Sequence, residues 1–131
     1  MRLRAEDAEG LLQAGLKAFR RLACAGITAK LKSSKAVTLS LRAQGADSGD
    51  LVAAFLNDLL FLAETQRLYP GRFTGHVLSA PGGLRAEGLL TGRRLAEGQS
   101  PLAVEIKNIT RHQAQTKTTA QGLTLDLIWD V

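Results

Sequence analysis

Leu51-Val-Ala-Ala-Phe55-Leu-Asn-Asp-Leu-Leu60-Phe-Leu-Ala63 is the most apolar stretch of the chain, and its spacing decides the fold. Val52, Phe55, Leu56, Leu59, Leu60 and Ala63 fall at helical intervals and form a stripe wide enough to face a core. The pattern predicts a largely buried helix over about 49–66. Asp47 or Ser48 is placed to accept the free N–H groups of its first turn, and Pro70-Gly71 is expected to stop it. Asn57 and Asp58 interrupt the apolar run, which is shorter than the roughly 20 apolar residues that a membrane span needs. This is therefore a core helix.

Upstream of it, Val37, Leu39 and Leu41 alternate with Thr38, Ser40 and Arg42, the period of a strand. Ile27, Ala29 and Leu31 alternate with Thr28, Lys30 and Lys32, which predicts another strand before Ser33-Ser34. Leu12, Leu16, Phe19 and Ala23 are helix-spaced and predict a helix over about 7–24, capped by Asp7 and ended by Gly26. Gly10 and Gly15 inside it each cost up to about 1 kcal/mol relative to Ala, so packing must hold this helix. Met1-Arg-Leu-Arg-Ala5 alternates as a short first strand.

Downstream, stretches with Phe73 and Val77 and from Leu84 to Leu90 flank Pro81-Gly82-Gly83 and read as a hairpin. Arg93 to Pro101 is polar and predicts a loop. Leu102 to Thr118 and Leu123 to Trp129, separated by Gln121-Gly122, read as a second hairpin that ends the domain in the sheet. Strands outnumber helices and cluster late, which predicts an α+β fold: a mostly antiparallel sheet packed with two amphipathic helices. At 131 residues the chain is expected to be one domain, spanning 1–131.

Hydrophobic residues at 45% and charged residues at 22% are an ordinary globular mix, which excludes a wholly disordered chain. Cys24 is the only cysteine, so no internal disulfide and no cysteine-rich zinc site can form. That cysteine usage and the want of a basic-then-apolar leader predict a cytoplasmic protein. The net charge of +5 suits either a polyanion partner or plain solubility. The cations are spread out, however, with Arg20-Arg21 and Arg93-Arg94 the longest runs, and only six aromatics accompany them (four Phe, one Trp, one Tyr). The sequence holds no phosphate loop, no dinucleotide fingerprint, no nucleophile elbow and no motif-spaced partner for either histidine. His76 reads as a solvent-facing strand residue and Cys24 as a small buried one.

Three segments carry more. The core helix contains Asp50-Leu51 followed by Phe55-Leu-Asn-Asp-Leu-Leu-Phe-Leu62. Glu105-Ile-Lys-Asn-Ile-Thr-Arg-His112 follows later, and the chain closes with Asp126-Leu-Ile-Trp-Asp130-Val131. In this order and spacing they resemble archease, the small protein that activates RtcB-type RNA ligases in tRNA splicing and RNA repair. The family's helix reads close to D-L-L-x-x-x-L-N-E-L-L-Y-L, its later segment close to E-I-K-A-V-T-Y-H, and its last strand closes on Asp and an aliphatic residue. Leu3 through Phe19 is similar to the family's first strand and helix.

The resemblance implies an accessory protein rather than a stand-alone catalyst, partnered by an RtcB-type ligase and promoting its guanylylation from GTP and its turnover. It implies a divalent metal (Ca²⁺, Mg²⁺ or Mn²⁺) held by aspartates, a hard-cation chemistry that needs no Cys or His cluster. By match to the family's terminal aspartate, Asp130 is the metal ligand carried over. Lys107, Thr110 and His112 match the later segment and are expected as a polar cluster near it, whereas Asn108 and Arg111 depart from the family's alanine and tyrosine.

Two further departures bear on the metal. Met1 already falls within the first strand, so the family's H-T-A-D segment, with its metal-binding aspartate, has no counterpart here. Cys24-Ala-Gly-Ile-Thr28 lacks the acidic residue usual after the first helix. The expectation is either a start further upstream or a relative that has lost the family's metal site. Asp126 shares a strand face with Asp130 but lies about 13 Å away if extended, too far for one ion without a bulge. The alternative reading is a diverged binding module without metal that contacts RNA or a protein through a basic surface.

Overall fold

The computed structural model describes residues 1–111, 117–119 and 122–131. Strand β1 (Arg2–Ala5) leads into helix α1 (Ala8–Ala23), and a short 3-10 helix (Thr28–Ser33) leads to β2 (Lys35–Gly45). Helix α2 (Ser48–Gln66) follows, then β3 (Leu68–Ala80), β4 (Gly83–Arg94), β5 (Asn108–Arg111), β6 (Lys117–Thr119) and β7 (Gly122–Asp130). Both helix starts are capped as their sequences predict. The Asp7 carboxylate accepts from the Gly10 N–H at 2.7 Å, and that of Asp47 from the Asp50 N–H at 2.9 Å.

The fold is α+β, and the single sheet expected from sequence resolves into two antiparallel ones. In the first, β7 is central, with β1 on one side and β5 and β6 on the other. The second is β2-β4-β3, with β4 central. Both helices contact both sheets: α1 packs on β1, β7 and β3, and α2 on β5 and on all three strands of the second sheet. This explains why the core helix is apolar over so wide an arc. Leu51, Val52, Phe55, Leu56, Leu59, Leu60 and Ala63 are all buried, and Phe55 meets Phe73 of β3 edge-on, with ring centroids 5.0 Å apart. Gly15, a weak residue for a helix interior, is where α1 approaches α2. A Cβ there would stand 3.3 Å from Leu56 Cδ2.

Several local expectations are corrected. Residues 28–33 form a 3-10 helix and not a strand, with none of them buried. Their alternation gives an apolar face with no sheet to lie on, while Lys30 and Leu31 donate to the Ile27 carbonyl and the Ser34 hydroxyl donates to that of Leu31. Pro70-Gly71 does not stop α2. Arg67 does, in the left-handed region at φ 54°, and Pro70-Gly71 sits at a register shift inside β3. A proline is tolerated there because β3 is an edge strand. Arg93 and Arg94 end β4 and do not start a loop, and residues 102–107 form no strand. The first hairpin is as predicted: Pro81 and Gly82 join Ala80 to its partner Gly83, with Gly82 at φ 80°.

The edge strands are guarded by helix side chains. Along β3, the Glu9 carboxylate of α1 accepts from the Val77 N–H at 3.0 Å, the Gln13 amide donates to the Phe73 carbonyl at 2.8 Å, and Arg20 donates to that of Gly71. Along β5, the guard is Asn57 of α2, and this contact positions the candidate site.

Candidate functional site at the end of the last strand

The end of β7 is assembled by backbone contacts from three directions. On one side the Met1 ammonium donates to the Leu127 carbonyl at 2.9 Å, and the Leu127 N–H to that of Met1 at 2.7 Å. On the other side β5 pairs Asn108 with Asp130, Ile109 with Trp129 and Thr110 with Ile128. Behind β5 stands Asn57. Its Nδ2 donates to the Ile109 carbonyl at 2.7 Å, and its Oδ1 accepts from the Ile109 N–H at 3.0 Å. One amide side chain thus takes the place of a neighbouring strand for both backbone groups of Ile109, whose side chain is buried. Asn57 was missed as a functional position. Its signal was available, because an amide inside an otherwise apolar helix needs a buried partner.

The pleat then sorts the side chains. Leu125 and Leu127 point to the core with Trp129, whose ring lies 6.0 Å from that of Phe19. Thr124, Asp126, Ile128 and Asp130 point the other way, onto a face that no helix covers. Residues directly opposite in an antiparallel pair share a face, so Asn108 stands beside Asp130 and Thr110 beside Ile128. Asp130 and Thr110 are exposed, whereas a metal ligand or a polar cluster would need other donors gathered around them. Lys107 meets the site through its backbone: its N–H donates to the Asp130 carbonyl at 2.7 Å. His112 lies outside the described residues. Ile128 and Val131 flank the carboxylate with 47% and 73% of their surface exposed, making the strand end apolar as well as acidic.

Does this donor set fit a divalent ion? Asp126, the other carboxylate on the face, lies four residues back along β7 and accepts from Arg2 at 2.8 and 3.3 Å. That bond holds the Arg2 guanidinium more firmly protonated. Among the described residues, no group of three or more His, Cys, Asp or Glu side chains is close enough to hold a metal. A Ca²⁺ ion takes about six to eight oxygens, and Mg²⁺ needs near-octahedral geometry. Asp130 supplies one carboxylate, so the described residues do not fit the ion that the resemblance implies.

Other titratable groups lie elsewhere in the fold. Asp58, next to Asn57 but on another side of α2, borders a groove of about 360 Å³ lined with Leu39, Leu41, Phe61 and Leu62. Partial burial raises its pKa. Cys24 is buried at the end of α1, and burial pushes its thiol up to about 12, which leaves it protonated and unreactive at neutral pH. His76 is exposed on β3, 3.8 Å from Glu9.

With this geometry in view, comparison with known proteins is informative. The archease protein family (MTH1598/TM1083) matches residues 1–131. No curated protein gives a significant match. The solution structure of Methanobacterium thermoautotrophicum protein 1598 superposes with a TM-score of 0.67 at 18% identity, covering 99% of this chain and 89% of that one. At that identity the likeness is one of fold, and it extends over nearly the whole chain. No described helix is long and apolar enough to cross a membrane. The family match over the whole length places this chain in the archease family.

Proposed function

We propose that this protein is an accessory factor of an RtcB-type RNA ligase, promoting the ligase's guanylylation and turnover in tRNA splicing or RNA repair. The observation that carries this reading is the family match over all 131 residues. The Asp130 strand end supports it in kind. An exposed carboxylate flanked by Ile128 and Val131, on a sheet face clamped by Met1, β5 and Asn57, suits a rigid protein–protein contact better than an enclosed reaction site. In this reading Asp130 contacts the ligase directly. A second reading, a binding module of this fold that works without metal, is favoured by one specific observation: among the described residues, no group of three or more His, Cys, Asp or Glu side chains could hold a metal ion.

The test is single-turnover guanylylation of the cognate ligase by GTP, with and without this protein. Acceleration is expected, and Asp130→Ala should abolish it while leaving stability within about 0.5 kcal/mol of the parent, as befits an exposed position. No acceleration at saturating protein overturns the accessory reading.

A further inference from the structure

At the end of the second sheet the strand pattern breaks in a way that the fold does not require. Val37, Leu39, Leu41 and Ala43 of β2 face the helices, as do Leu90 and Ala86 of β4, their partners or near-partners across the ladder. Continuing the same parity toward the end of the sheet brings Lys35 and Arg94, directly opposite each other, onto this core-facing side. They lie just past the last residue of α2, where Arg67 turns the chain in the left-handed conformation. Lys35, Arg67 and Arg94, with Ser33, Leu95 and Glu97, line a recess of about 280 Å³.

These guanidinium groups are held by neutral oxygens. Arg67 Nε donates to the Leu95 carbonyl at 3.1 Å, while the Leu95 N–H donates back to that of Arg67 at 2.9 Å. Arg94 donates to the Gln66 carbonyl at 3.3 Å and to its Oε1 at 2.8 Å. Among the described residues, none of Lys35, Arg67 and Arg94 makes an ion pair, Glu97 included. Some arginines elsewhere do find carboxylates, Arg2 with Asp126 and both Arg42 and Arg85 with Glu87, whereas Arg20 is held by the Gly71 carbonyl. Further cations lie outside the recess. Arg93, on the opposite face of β4 from Arg94, is fixed on Ser34 at 2.8 and 2.9 Å, and Lys30 on the Ser100 carbonyl at 2.8 Å, both bound again to neutral oxygens. Positive charge held in place and left unneutralised is the arrangement that phosphate oxygens match, because the fork of an oriented Arg needs no reordering to meet them.

The geometry points to a binding site for the phosphates of an RNA backbone, with one phosphate in the recess among Lys35, Arg67 and Arg94 and the chain continuing round the end of the sheet toward Arg93 and Lys30. A polynucleotide fits better than a free nucleotide because the cations extend beyond one recess. The choice of RNA among polyanions rests on the accessory role proposed above, whereas the site itself does not.

The probe is a labelled, unstructured single-stranded RNA of about 16 nucleotides, read by fluorescence anisotropy over a series of KCl concentrations with no ligase present. The full-length protein should bind it with an affinity that falls as salt rises. Lys35→Glu should weaken binding at least tenfold and flatten the logarithmic salt slope by about 0.7 or more, the value of one single-strand phosphate contact. Lys17→Glu, the same charge change on the exposed face of α1, should weaken it less than about threefold. Arg67→Gln, checked for folding by circular dichroism, should act in the same direction as Lys35→Glu. Equal losses for Lys35→Glu and Lys17→Glu, or no salt-dependent binding at all, overturn the site. Binding of GTP or inorganic phosphate without binding of RNA overturns the polynucleotide assignment. If RNA fails to bind while the ligase is still accelerated, this inference falls and the accessory role stands.

Discussion

Two charged strand ends lie on different sheets of this molecule, and they are built on opposite plans. At the end of β7, Asp130 is placed by backbone clamps, but its exposed carboxylate belongs to no group of three or more metal-binding side chains among the described residues. At the paired ends of β2 and β4, Lys35 and Arg94 occupy core-facing positions and meet Arg67 around a recess. A family resemblance leads to the first, because a motif preserves which residue stands where. Only the second has convergence. Binding an ion or a phosphate needs several groups aimed at one point, and that is a property of the fold rather than of any motif.

Both strand ends lean on α2, which packs on β5 and on β2 and β4. Phe55 is fully buried in α2, against Phe73 of the second sheet, on the helix whose Asn57 holds the first. Phe55→Ala should cost about 3–5 kcal/mol, seen as a lower denaturant midpoint with an unchanged slope, and should loosen both strand ends together. A loss confined to the second sheet would show that α2 does not couple them.

Asn57→Ala sharpens the contrast by striking one end alone. It leaves the Ile109 N–H and carbonyl without their partner, so about 1–3 kcal/mol should be lost. Amide exchange should accelerate across β5 while the β2–β4 ladder keeps its protection. Faster exchange throughout would mean that the amide supports the whole core and not only the Asp130 end.

At neutral pH the smallest pH-linked effect belongs to Cys24, buried in the core that the two regions share. Its folded-state pKa is raised from 9.0 to about 12, chiefly by burial, with Arg20 and Lys30 opposing the shift. A raised value means that the folded state keeps its proton longer than the unfolded one. This contribution to stability is therefore complete below about pH 9 and lost as pH rises toward 12. Unfolding measured across that window should show Cys24→Ala losing less stability than the parent, with no difference in slope near pH 7. Alkylation of the parent thiol at pH 7 should require unfolding.

Much of this was legible in the residues. Asp7 and Asp47 announced both helix starts, the stripe from Val52 to Ala63 announced a buried helix, and Pro81-Gly82 announced the hairpin. The order of Asp50-Leu51, Glu105 to His112 and Asp130-Val131 led to the family. What was misread shared one cause. Residues 28–33 alternate like a strand but find no partner, Pro70-Gly71 reads as a stop but lies on a tolerant edge, and Asn57 reads as an interruption but serves as a strand substitute. Each outcome depends on what lies across from the residue, not beside it in sequence.

By itself, then, the sequence determined the local elements, their caps and turns, the α+β class and the family, because these depend on periodicity and on hydrogen bonds spanning a few residues. Tertiary structure alone decided that the strands divide into two sheets, since β1 must cross the length of the chain to pair with β7. It also decided which charges meet. Lys35, Arg67 and Arg94 are far apart in sequence, and only the β2–β4 register and the turn at Arg67 bring them to one recess, while the same pairing rules leave Asp130 on an open face.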